Sequence, residues 1–234
     1  MVDPSTPEAE RIRSYFGEAS WRPSAGREAL VAERRRLVER LVHEKLPPLA
    51  ELAVCDVGCG TGSDLARWRA LGVPEERLSG TELVAARAEA ARRSIPRGTV
   101  ARVDGFQLPV PDGSFDLVTA SLVVSTIRNR ADRHRLATEM ARVTRAGGLL
   151  AIYDFRIRKP WNRNVIAVSG SELAEALGPP GATYRLAPFL PLLDLALKLP
   201  RGLREPAMRF LPRTHRLWVW ERAGNARTDD RAAT

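Results

Sequence analysis

The sequence has only two cysteines, three lysines and three histidines in 234 residues. Cys55 and Cys59 are too few ligands for a zinc site, so no metal is expected, and reduced thiols packed in core and loop are the default. No apolar run approaches about 18 residues, which excludes a membrane-spanning helix. The stretch Met1-Val2-Asp3-Pro4-Ser5-Thr6-Pro7 lacks the charged-then-apolar pattern of a signal peptide. The cytoplasm is therefore the expected compartment. There is no internal repeat and no low-complexity linker. A single domain over 1–234 is expected, long enough for a sizeable core.

What is abundant is arginine. The net charge is +9, carried almost entirely by Arg. Nucleic acid is one reading of such a charge. However, the arginines are scattered along the chain, often between alanines. Arg34-Arg35-Arg36 is the longest run and falls in a helical stretch, so its members spread over different faces. A solvated helix surface is the preferred reading, and nucleic acid is not expected as a partner.

The most informative stretch is Ala53-Val54-Cys55-Asp56-Val57-Gly58-Cys59-Gly60-Thr61-Gly62. A short apolar run ends in a carboxylate and a glycine-rich turn, and Ser63 to Leu71 then reads as a helix. Strand, tight loop and helix N-terminus make a nucleotide-type cradle. A dinucleotide fingerprint would place a third glycine where Ser63 stands. Asp56 before the loop suits a ligand with positive charge better than a pyrophosphate. The heptad Asp56 to Gly62 resembles motif I, D/E-x-G-x-G-x-G, of the class I S-adenosylmethionine-dependent methyltransferases.

Further matches follow in order. Arg77 to Glu82 reads as a second strand, and an acidic residue at its tip, Glu82, suits a ribose diol. A third strand, Gly98 to Val103, leads to Asp104-Gly105-Phe106. The run Leu108-Pro109-Val110-Pro111-Asp112-Gly113-Ser114-Phe115-Asp116 resembles the family's L-P-F-x-D-x-S-F-D. The fourth strand is Phe115 to Ser121. Helix follows from Arg130 to Arg145 and is broken by Gly147-Gly148. Leu149 to Phe155 is the fifth strand. Arg142 to Leu150 resembles the family's R-V-L-K-P-G-G-x-L, with Ala146 in place of proline. The ordered set covers Ala53 to Phe155.

The resemblance implies an α/β, doubly wound, Rossmann-like sheet of seven strands in the order 3-2-1-4-5-7-6, the last strand antiparallel. It also implies S-adenosylmethionine as cofactor and S-adenosylhomocysteine as product. The cofactor-binding residues would be Asp56, Gly58, Cys59, Gly60, Gly62, Glu82, Leu83, Asp104, Gly105, Phe106 and Ser121, with Asp104 meeting the adenine.

Outside that core the reading is coarser. Residues 1–10 are expected to be mobile. Residues 11–25 show no clear periodicity, and with the helix from Gly26 to Leu46 they form an N-terminal lid over about 10–46. Strand six is expected over Thr183–Ala187 and strand seven over Leu217–Glu221. Between them, about 188–212 reads as an apolar helical insertion. It is expected to roof an acceptor pocket, with peripheral membrane contact or oligomer contact as the other roles. A disordered tail is expected over 223–234.

Methyl transfer from a sulfonium is an in-line displacement in which the protein supplies proximity, orientation and exclusion of water. Only a poor nucleophile needs a general base, so no fixed triad is expected. Tyr153, Asp154 and His215 are the candidates for catalysis; His134, beside arginines on a surface helix, is weaker. Tyr15, Trp21, Arg22 and Phe189 are the candidates for substrate binding. The expected function is methyl transfer to an O, N or C nucleophile of a small molecule, such as a secondary metabolite, lipid or sugar-linked intermediate. The alternatives are an RNA methyltransferase and a non-catalytic S-adenosylmethionine-binding scaffold. The end of the fourth strand lacks the N/D-P-P-[FY] pattern that goes with amino-group methylation.

Overall fold

The strand Val54–Val57 (β1) is buried at every position, as a central parallel strand covered on both faces must be. It was located in a computed structural model that describes residues 7–18, 24–104, 106–158 and 162–223. The expectations for residues 1–6, for Trp21 and Arg22, for Gly105 and for residues 224–234 lie outside the described residues.

β1 pairs in parallel with Leu78–Thr81 (β2) on one side and Phe115–Ser121 (β4) on the other. Thr99–Ala101 (β3) extends the sheet beyond β2. Thr144–Phe155 (β5) follows β4 in parallel, and Arg213–Glu221 (β7) then runs antiparallel between β5 and Ala182–Pro188 (β6). The order is 3-2-1-4-5-7-6, as the resemblance implied.

Side chains alternate between two cores. Val54, Leu117, Leu149, Ala151 and Tyr153 face one layer, formed by helices Ala25–Lys45 (α2), Ser63–Leu71 (α3) and Ala85–Ser94 (α4). Cys55, Val57, Val118, Ala120, Leu150 and Ile152 face the other. There Arg130–Val143 (α5) contributes Leu136, Met140 and Val143, and Gly170–Leu177 (α6) contributes Leu173. Both cysteines are buried and unpaired in disulfides, and burial pushes both thiols well above their ordinary range. They pack as small apolar groups.

Several boundaries differ from the sequence reading. Pro7–Glu18 is a helix (α1), although 7–10 read as mobile and 11–18 as aperiodic. Its apolar positions are few, and they face a cavity more than a core. α5 ends at Val143, and Gly147 and Gly148 lie in an irregular stretch of β5 where the register with β4 shifts between Phe115 and Leu117. β7 begins at Arg213, so His215 lies within the strand, paired with Phe155, rather than before it.

The segment between β6 and β7 holds two short helices, Leu190–Ala196 (α7) and Arg201–Arg209 (α8). Leu193 and Ala196 of α7 are buried, while Leu195 and Leu203 are each 61% exposed. α7 docks on the start of α2. Gly26 N donates to Asp194 Oδ1 at 2.8 Å, and Ser24 Oγ lies 3.3 Å from Oδ2. A Cβ on Gly26 would lie 2.5 Å from Asp194 Oδ1 and 2.9 Å from Leu190 Cδ1. Among the described residues no helix is long and apolar enough to cross a membrane.

Candidate active site

The chain leaves β1 through Gly58, Gly60 and Gly62, whose φ angles are +70°, +60° and +81°. Side chains other than glycine rarely tolerate this left-handed backbone. The loop is also pressed from outside. A Cβ on Gly58 would meet Val123 Cγ2 at 2.5 Å, and one on Gly60 would meet Arg87 Nη2 at 2.6 Å. Gly62 hands over directly to α3.

Two carboxylates flank this loop. Asp56, in β1, is buried and accepts from Thr119 Oγ1 at 2.7 Å. Burial, followed by the charge of Asp64, pushes its carboxyl up to about 7. Glu82 follows β2. Its Oε2 accepts from Gly60 N at 3.0 Å and its Oε1 from Val84 N at 2.8 Å. An ionised carboxylate has about four lone-pair sites. Two are taken, which leaves capacity for a ligand's hydroxyls.

A cavity of about 1000 Å³ opens beside Glu82. Of the residues expected to bind cofactor, Gly58, Glu82, Leu83, Asp104, Phe106 and Ser121 line it. Asp56, Cys59, Gly60 and Gly62 stand behind the lining and shape the loop. Asp104 Oδ1 accepts from Phe106 N at 3.0 Å, which turns the chain there, and Arg135 lies over the Phe106 ring at 5.5 Å. The donor set is oxygen-rich and anionic where the loop meets β2 and β3, with aromatic and aliphatic walls beyond. The carboxylates suit a nucleoside with a positively charged tail, and the nearest cation, Arg87, is drawn toward Glu82.

α1 covers this cavity. Glu8 Oε1 accepts from Arg128 N at 2.6 Å, Arg11 donates to the Thr126 carbonyl, and the Arg11–Glu8 pair holds Glu8 below its ordinary carboxylate range. Further along α1, the Phe16 ring lies under the Arg87 guanidinium at 4.6 Å, a cation–π contact. Arg87 Nε is 3.7 Å from Glu82 Oε2.

A second cavity of about 430 Å³ adjoins the first. Phe16, Ser121, Leu122 and Thr126 belong to the walls of both. Leu122 has a φ of +59°, unusual for a residue with a branched side chain. Its N–H donates to the Tyr153 carbonyl at 2.8 Å. The strain sits where the two cavities meet, a placement typical of functional sites.

The candidates for catalysis and substrate binding separate clearly here. Tyr15, Tyr153 and His215 line the second cavity. The Tyr153 and His215 rings are stacked, 5.1 Å apart and within 4° of parallel, and Phe155 lies 4.3 Å from His215 on a tilt. His215 Nδ1 shares a hydrogen bond with Thr214 Oγ1 at 2.9 Å. Burial pushes the Tyr153 hydroxyl well above its ordinary range, so it stays protonated as a donor. Asp154 lines neither cavity. It accepts from Ser125 N at 2.9 Å and from Phe155 N at 2.8 Å, and burial pushes it up to about 6. Phe189 does not line the cavity either; its neighbour Leu190 does. His134 and His43 are exposed.

Sequence reasoning missed Arg34. It read as part of a solvated arginine run, yet its side chain is only 12% exposed. Arg34 Nη1 donates to Ser121 Oγ at 2.7 Å and Nη2 to Asp64 Oδ2 at 2.7 Å. Arg35 Nε meets Asp64 Oδ1 at 2.7 Å. The signal was Asp64, an unexplained carboxylate one residue inside α3.

Comparisons with known proteins agree with this geometry. The family model for a methyltransferase domain matches residues 55–152. The methyltransferase GfsG of Streptomyces halstedii is 33% identical over 157 residues, 64% of this chain and 55% of that protein. The demethylmenaquinone methyltransferase of Thermus thermophilus is 37% identical over 131 residues, 52% of this chain and 53% of that protein. The chain thus spans little more than half the length of these two curated relatives. Among solved structures, geranyl diphosphate C-methyltransferase from Streptomyces coelicolor superposes with a TM-score of 0.64 at 17% identity, covering 94% of this chain and 100% of that one. The [4+2]-cyclase SpnF superposes with a TM-score of 0.61 at 18% identity, covering 92% and 93%. At these identities the likeness is one of fold.

Proposed function

We propose that the chain is a class I S-adenosylmethionine-dependent methyltransferase, as its match to the methyltransferase-domain family over residues 55–152 supports, and that it moves a methyl group from S-adenosylmethionine to a nucleophile of a small molecule. The observation that carries this reading is the pair of cavities sharing Ser121, Leu122 and Thr126. One is flanked by the glycine loop and Glu82, the other is walled largely by apolar and aromatic groups. Displacement at a methyl carbon needs donor and acceptor on opposite sides of one point.

The cofactor, when bound, supplies an activated methyl on a sulfonium. The chain's residues do the rest. Glu82 would hold the ribose hydroxyls, and Asp104 with Phe106 would frame the adenine. Asp56 would favour the ammonium by its charge. α1 and α2 exclude water as an N-terminal lid, and α7 roofs the acceptor cavity through Leu190. His215 and Tyr153 are the groups within reach of an acceptor proton.

Relatives that act in ubiquinone and menaquinone biosynthesis, on 27-O-demethylrifamycin SV and on geranyl diphosphate favour a small organic acceptor with a substantial apolar part. The RNA reading gains nothing from the arginines, many of which are paired, as in Arg67–Glu39, Arg130–Glu175 and Arg142–Glu139. The resemblance to SpnF, a [4+2]-cyclase, supports one second reading: this fold can host a reaction other than methyl transfer.

Calorimetric titration with S-adenosylhomocysteine is the test. Binding is expected for the native chain, and about a 10- to 100-fold loss for Glu82→Gln, the range for hydrogen bonds to a charged group. A folded protein that ignores S-adenosylhomocysteine would sink the proposal. Binding without methyl transfer to any apolar acceptor would favour the second reading.

A further inference from the structure

β6 and β7 set two arginines against each other. Arg185 and Arg216 are directly opposite in the antiparallel register, so their side chains leave the sheet on one face. Like charges in such a pair are destabilising. That face is the one on which Trp218 packs with α5 and α6, and the Arg216 guanidinium lies 5.8 Å from the Trp218 ring. His215, the preceding residue, faces the other way and lines the second cavity.

A third arginine joins them. Arg156 follows β5, and its N–H donates to the Thr214 carbonyl at 3.0 Å, two residues from Arg216. Its Nη1 donates to the Arg213 carbonyl at 3.1 Å. Burial, then the charges of Arg156 and Arg185, hold the Arg216 guanidinium below its ordinary range. Arg216 Nε is buried and meets no acceptor among the described residues. No ion pair reaches Arg156, Arg185 or Arg216 among the described residues. Asp154, opposite Arg216 on β5, accepts from Ser125 N and Phe155 N instead. Nearby chain supplies no substitute: 155–171, 178–193 and 213–220 contain no aspartate or glutamate.

We propose that Arg156, Arg185 and Arg216 form an oxyanion site that takes the phosphate group of a small molecule, separate from the cofactor and acceptor cavities. The site stands independently of the methyl-transfer reading. Guanidinium forks pair bidentately with phosphate, whose terminal oxygens can engage several of them at once. Free phosphate and an organic phosphate monoester share this chemistry. Three residues on one sheet face serve a single phosphate, not the successive phosphates of a nucleic-acid backbone. A bound dianion would turn the repulsion between Arg185 and Arg216 into a shared attraction and would fasten β6, the edge strand, to β7.

Phosphate is expected to raise the thermal midpoint of the full chain at an ionic strength where chloride does not. Calorimetric titrations of phosphate, phenyl phosphate and benzoate then define the ligand. Both phosphates are expected to bind at least about tenfold tighter than benzoate. Tighter binding of phenyl phosphate than of phosphate identifies an organic monoester as the occupant; equal or weaker binding identifies the free ion. Arg185→Gln is expected to weaken phosphate at least about tenfold, and Arg185→Lys to recover only part, since an ammonium lacks the fork. Arg185 is exposed, so neither variant disturbs the core. Without phosphate, Arg185→Gln should match or exceed the native midpoint, because one repelling charge is gone. Equal midpoints in phosphate and chloride overturn the proposal, as does phosphate binding that Arg185→Gln and Arg156→Gln both leave intact. Preference for a single-stranded oligonucleotide over phenyl phosphate, with steep salt dependence, also overturns it, in favour of nucleic acid.

Discussion

Burial disfavours the charge of Asp56 and raises its carboxyl to about 7, well above an ordinary aspartate. Its ordinary value is 3.8, so between about pH 4 and 7 the folded chain binds more protons here than the unfolded chain. The sign follows: this group makes the unliganded protein less stable as pH rises through that window. A cationic ligand favours the ionised form and reverses the preference. Cofactor affinity is therefore expected to rise with pH up to about 7, by up to tenfold per unit, and then to level off. Titrations of S-adenosylhomocysteine from pH 5.5 to 8.5 check this, and Asp56→Asn should flatten the profile. Legibility differed sharply among residues. Glu82 was legible because a strand tip places one residue at a fixed point. Arg34 was not, because its burial depends on Asp64, thirty positions away, and a run of arginines gives no sign of which member turns inward.

The clasp between α7 and α2 is the feature of the elements that the sequence hid. Ser24 caps α2 locally, its Oγ accepting from Arg27 N at 3.2 Å. The second cap, Asp194, comes from a helix 168 residues further on. A carboxylate at a helix start satisfies exposed N–H groups and complements the helix dipole. Asp194→Ala is expected to cost about 1–2 kcal/mol, read as a fall in thermal midpoint. Gly26→Ala should do at least as much, since its Cβ would meet Asp194 and Leu190 below contact distance; an unchanged midpoint in both variants would show that α7 is not anchored there. α1 was illegible for a related reason. Its few apolar residues serve the cavity, and a helix without a continuous buried stripe leaves little periodicity to read.

At the scale of the whole molecule, the positions of the parallel strands were legible, because strands covered on both faces leave near-continuous apolar runs ending in glycine or a carboxylate, while their order followed from the family resemblance. The antiparallel β7 was legible only from Leu217. Its first residues, Arg213 to Arg216, look like surface, yet Thr214 and His215 are buried, which is how His215 reaches the cavity. The same architecture has a temporal consequence. Phe16 belongs to both cavity walls, and the helix that carries it is fastened by Glu8 and Arg11 to the turn after β4. One movement of that helix then governs two departures. In Arg11→Ala, stopped-flow measurements are expected to show the dissociation rates of S-adenosylhomocysteine and of a ligand bound in the second cavity rising together by a similar factor. A rise in one alone would mean separate exits. Coupled exits make the slower-leaving product the clock of each turnover.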